Sequence, residues 1–82
     1  MPYIKQERRD GLDAGAPPQS PGELNYCIAR LCMEYIGSPE SPVSYWQLNE
    51  IMGVLECSKQ EFYRRVVAPY EDRKELENGN VY

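Results

Sequence analysis

Followed by its apolar positions, the chain falls into a long polar opening and two periodic runs. In the first run Leu24, Cys27, Ile28, Leu31, Cys32, Tyr35 and Ile36 recur at three and four residues, the spacing of one helical face. Ser20-Pro21-Gly22-Glu23 marks its start: an N-cap, a proline at the first helical position and a capping-box glutamate. Gly37 ends it, with Pro39 close behind. The second run, Leu48, Ile51, Met52, Leu55, Phe62 and Val66, follows a start signal at Ser44 with Gln47 three residues on, and a hydrophobic staple between Val43 and Leu48. Ser58 with Glu61 has the form of another capping box, but the stripe keeps its phase across Ser58. One helix is therefore predicted there rather than two, weakened at Gly53 by about 1 kcal/mol relative to alanine. Pro69 lacks a backbone donor and disfavours helical backbone at Ala68, so the chain is expected to kink or restart there, leaving "YEDRKELE" as a short charged turn or two before Asn78-Gly79.

These signals predict an all-α fold: a helical hairpin over about 20–37 and about 44–68, plus a short C-terminal helical segment after Pro69. At 1.5 Å per residue the two helices are roughly 24 and 37 Å long, so neither covers the other. A partner chain is expected to complete them into a helical bundle by homo-oligomerisation. The opening has no periodic face. "DGLDAGAPPQSPG" is rich in Gly, Pro, Ala and Asp, so residues 1–19 are expected to form an extended arm or linker outside the core, and 20–82 a single helical domain.

Composition narrows the chemistry. An 82-residue chain builds a small core, and small cores are usually reinforced by disulfides, metal or self-association. Three cysteines without CxxC spacing and no histidine argue against a disulfide framework and a zinc site, which leaves self-association. Neither metal nor cofactor is expected. Free thiols without an apolar export segment point to a reducing cytoplasm, and no stretch is long and apolar enough to span a bilayer. A net charge of −4 repels nucleic acid and anionic lipid, so neither DNA nor membrane is an expected partner.

An enzyme is not expected either. Nucleophilic catalysis sets a nucleophile beside a base, and here there is no histidine, while Cys27 and Cys32 sit on the apolar stripe and Cys57 lies within the second helix. Glu23, Glu34, Glu50, Glu56 and Glu61 fall outside the stripes without the spacing of an inward-facing metal set. No glycine-rich loop carries the lysine of a phosphate cradle.

What remains is aromatic and basic. The chain has seven tyrosines and one tryptophan; Tyr26, Tyr45, Tyr63 and Tyr70 flank the stripes, where an interface or a ligand wall belongs. In "EFYRRVVAPY" the ordinary reading pairs Arg64 and Arg65 with Glu61 at i,i+3 and i,i+4. The functional reading notes that adjacent arginines point about 100° apart, so one turns toward a subunit interface and grips a phosphate bidentately, walled by Tyr63 or Tyr70. On that reading the ligand-binding residues are Arg64, Arg65, Tyr63, Tyr70, Tyr26 and Asn25, and the ligand is small, anionic and nucleotide-like. The alternative is an acidic inhibitor or adaptor that docks a host protein through its tyrosine-rich surface.

The opening "PYI", the first-helix "PGELNY" and the run "GVLECSKQEFYRRVVAPYEDRKELENGNVY" resemble a family of small uncharacterised proteins encoded by bacteriophages and bacteria. The resemblance covers most of the chain except the arm and the loop before Ser44. It implies a setting, a small accessory protein of phage origin in a bacterial cell, and no activity. One class of phage proteins sequesters nucleotide messengers of bacterial immunity between subunits. The likeness to that class is one of type, in size, absent catalytic groups and Tyr/Arg content, and not of shared motif.

Overall fold

The computed structural model describes residues 1–37 and 42–82; Pro39, part of the expected stop signal, lies outside them. Every regular element among the described residues is helical: α1 (Gln6–Asp13), α2 (Pro21–Ile36), α3 (Tyr45–Phe62), a π-helical turn (Tyr63–Val67) and α4 (Ala68–Asn78). The all-α class is as the periodicity predicts. The chain divides into two compact units, Met1–Ser44 and Tyr45–Tyr82.

In the first unit α2 begins as its tetrapeptide dictates. Pro21 occupies the first turn, where its missing N–H costs nothing, and the Glu23 N–H donates to Ser20 Oγ at 3.1 Å. The return half of the capping box is altered: the Glu23 carboxylate accepts from the backbone N–H of Gln19 at 3.1 Å. At the other end Gly37, at φ 92°, donates to the carbonyl of Met33 at 3.2 Å, in a backbone region that a side chain would strain.

The extended arm expected over residues 1–19 is corrected. Gln6–Asp13 is a helix docked on α2, and its Leu12, only 2% exposed, is the buried apolar residue of the described chain. Of that segment, residues 1–5 and 14–19 lie outside any regular element. The reason is the kind of force that holds α1. One leucine on an otherwise polar octapeptide produces no apolar period, and the docking is completed by charged groups from α2 that no period reports. Residues 1–4 belong to the same arrangement, since a Cβ on Gly22 would stand 3.0 Å from the Met1 carbonyl oxygen and 3.4 Å from the Ile4 side chain. α1 also lies off the predicted stripe of α2: Leu24, Ile28, Leu31 and Tyr35 stay exposed, whereas Glu23, Tyr26 and Arg30 face the docked helix.

The second unit is one helical run from Tyr45 to Asn78. α3 passes Ser58 without interruption, as the phase of its stripe predicts. At Pro69 the helix neither stops nor restarts: the turn before it widens, and the Ala68 N–H bonds the carbonyl of Tyr63, five residues back instead of four. That widening is the physical answer to a proline, whose ring would otherwise press on the carbonyl four residues earlier and whose missing N–H would leave it unpaired. Gly79, at φ 91°, closes α4 by donating to Glu75 at 2.8 Å. A single helical run offers nothing of its own unit to bury a stripe against; Met52, Phe62 and Val66 are exposed. Among the described residues no helix is long and apolar enough to cross a membrane.

Candidate functional site

The two arginines singled out by the sequence sit on the π-turn. Arg64 Nη2 donates to Glu61 Oε2 at 2.6 Å and Arg65 Nε to Glu61 Oε1 at 2.5 Å, so one carboxylate holds two guanidiniums. This is the i,i+3 and i,i+4 pairing of the ordinary reading. Both arginine side chains are 69% exposed in the single chain and reach back to the same residue. The bonds from Arg65 and then Arg64 hold the Glu61 carboxyl below its ordinary value. Two positive charges share one negative charge, and the fork keeps a net +1.

An open groove runs along this stretch, lined by Cys57, Ser58, Glu61, Phe62, Arg65 and Val66. Small residues on one turn followed by Phe62 on the next leave the hollow, with Arg65 at its edge. Tyr63 and Tyr70 are both exposed, as expected of residues flanking a stripe. Tyr70 carries cations that the sequence reading passed over: the Arg73 guanidinium lies 5.9 Å and the Lys74 ammonium 5.6 Å from its ring centroid. Their signal was present in the i,i+3 and i,i+4 spacing from Tyr70.

Asn25 and Tyr26 belong to the first unit. Asn25 is exposed on α2. Tyr26 is half-buried and donates its hydroxyl to Asp13 Oδ1 at 2.8 Å; that bond, and then burial, raises its pKa. Asp13 accepts again from Arg30 Nη1 at 3.1 Å, and the same Nη1 donates to the Leu12 carbonyl at 2.9 Å. Tyr26 is therefore engaged within its own unit. No group of three or more cysteine, aspartate and glutamate side chains among the described residues is arranged to hold a metal ion.

The geometry defines an all-α chain of two helical units, one clasped by polar contacts, the other carrying an exposed arginine fork beside an apolar groove. A family model described as "Domain of unknown function (DUF6899)" matches residues 1–81, and the chain belongs to that family. The match spans the first two segments on which the resemblance rests and all of the third but Tyr82. No curated protein and no solved structure matches the chain.

Proposed function

We propose that this chain is a non-enzymatic, homo-oligomeric binding protein that captures a small anionic, nucleotide-like ligand. The observation that carries the reading is the fork: Glu61 fixes Arg64 and Arg65 in place, and one carboxylate balances only one of their two charges. An incoming phosphate thus meets donors already ordered, which lowers the entropy cost of a bidentate contact. Exposed Tyr63 and Tyr70 supply aromatic walls, and the groove beside Arg65 supplies apolar area for a base. Oligomerisation is supported by the uncovered stripe of α3, and it closes an otherwise open groove. The setting we propose is the bacterial cytoplasm, with the protein encoded by a phage and acting as a sponge for a cyclic or ADP-ribose-type immune signal. It rests on the resemblance and on the free thiols.

A second reading is favoured by a different observation. Tyr45 and Trp46 meet edge to face at 6.3 Å, both exposed, and suit the docking of a host protein by an inhibitor or adaptor. Calorimetric titration with a panel of cyclic dinucleotides and ADP-ribose derivatives separates the two. The wild type is expected to bind one member, and Arg64→Gln or Arg65→Gln to lose that binding by a factor of about ten or more while melting within about 4 °C of wild type. A wild type that binds none of the panel, or variants that bind as it does, hands the lead to protein docking.

A further inference from the structure

The first unit holds a feature that no binding role at Arg64 and Arg65 explains. α1 is eight residues long, too short to be stable alone, and presents one buried apolar side chain to α2. Its remaining hold is polar and sits at its two ends. Near the N-terminal end Arg8 grips Glu23 through two bonds, Nη2 to Oε1 at 2.8 Å and Nε to Oε2 at 3.0 Å; the glutamate is only 8% exposed. At the C-terminal end Asp13 takes the Tyr26 hydroxyl and Arg30 Nη1, while Arg30 also caps the Leu12 carbonyl. Leu12 lies beside the second latch, so a pin and two charge-assisted clips hold α1, with Met1 and Ile4 standing against Gly22 ahead of it.

We propose that the segment Met1–Asp13 is a charge-latched strap that opens as a unit while α2 stays helical, freeing Tyr26 and Arg30. The argument is one of unequal dependence. α2 has its own cap at Ser20 and Glu23, its own proline start and a glycine stop, all made within residues 20–37. α1 has no side-chain cap at Lys5 and borrows its fixed points from α2. Removing one clip costs α1 its docking, whereas α2 loses one partner of Glu23 or of Arg30 and keeps its own cap. The strap partly covers two polar side chains of α2, Tyr26 and Arg30. Latched, the Tyr26 hydroxyl is committed to Asp13; open, it and the Arg30 guanidinium face water together.

The groups around each clip are few. Glu23 is faced by Arg8 from α1, with Glu7 acting on Arg8 from the same helix, and by the Gln19 N–H and Ser20 from the chain before α2. Asp13 is faced by Tyr26 and Arg30 from α2 and by Arg9 from α1, and Arg30 has Glu34 at 3.8 Å and Cys27 on its own helix. The proposal concerns the first unit alone and stands whether or not Arg64 and Arg65 hold a ligand.

Amide hydrogen exchange on the full chain tests it, comparing wild type with Arg8→Gln, which removes the guanidinium of one clip, and Asp13→Asn, which removes the charge of the other. The α1 amides are expected to exchange on the order of tenfold faster in either variant, with residues 24–36 changing less than about twofold. If α1 and α2 accelerate together, including by wholesale loss of fold, the strap is not a separate unit and the proposal falls. If α1 is unchanged in both variants, Leu12 and the backbone hold it unaided, and the charged latch is overturned.

Discussion

Glu23 and Asp13 each hold α1 by accepting from donors on the other helix or beside it, and the same bonds make the docking depend on pH. The Glu23 carboxyl lies below its ordinary value, first through Arg8 and then through the Gln19 N–H; Asp13 lies below its own, first through the Tyr26 hydroxyl and then through Arg30. A carboxyl whose pKa is lower folded than unfolded contributes fully above its unfolded value. That contribution is lost as pH falls through the folded value. Docking of α1 should therefore be level from neutral pH down to the ordinary carboxylate range and fail below it, and Asp13→Asn should remove its share of that acid dependence. NMR amide shifts of residues 8–13 followed down in pH measure this; a docked α1 that persists through the acid range would contradict the assignment. Here the sequence was least legible. Ser20 and Glu23 announce a helix start, and the cap forms, but nothing in the tetrapeptide says that the glutamate also serves an arginine fifteen positions earlier. Charge pairs distant in sequence leave no period, whereas Arg64, Arg65 and Glu61, neighbours on one helix, were legible from spacing alone.

Among the elements, α2 and α3 follow from repeats of apolar residues and from caps, and both stand where those signals put them. The interval at Pro69 was legible as a disturbance but not in kind. Proline rules predict a break because they concern an ideal α-helix; a π-turn spares the backbone by moving the bond of Ala68 one residue further back. Both arginines lie on that turn. Replacing Pro69 with alanine restores the donor and removes the ring. The expected outcome is a return to i→i−4 bonding, with the Ala68 N–H moving from Tyr63 to Arg64, and a helix more stable by about 1 kcal/mol or more. NMR detection of hydrogen bonds across residues 62–69, with a thermal melt, measures both. A π-turn that survives in the alanine variant would mean that the packing of Tyr63–Val67, and not the proline, sets it. Should the turn relax and ligand binding weaken with it, its geometry belongs to the arginine fork and not merely to the proline.

For the molecule as a whole the question is what a long helical run with an apolar stripe rests against. Isolated helices are marginal in water, and most helical stability in proteins comes from packing an amphipathic face. Leu48, Met52, Leu55, Phe62 and Val66 present such a face on the second unit, and the lone helical run of that unit has no second element to cover it. A second copy supplies one, and with the stripe repeated on each chain the contact is available to both. Sedimentation at micromolar concentration should then give a mass well above the 9.5 kDa of one chain, with a melting temperature that rises with protein concentration, because association adds stability only by mass action. Phe62→Glu sets a charge in the middle of the stripe and leaves the intrahelical pairs of Glu61 in place. It should shift the sedimenting species to monomer and lower the helix content of the second unit, while the docking of α1 on α2, made by other residues, stays as it was. A wild-type monomer that melts cooperatively above about 60 °C, near the top of the range for ordinary small domains, would show that the chain covers its stripe unaided, and the proposed oligomer would be wrong. If instead the wild type associates and Phe62→Glu associates equally, the contact lies elsewhere, and the exposed Leu24, Ile28, Leu31 and Tyr35 of α2 form the next face to charge.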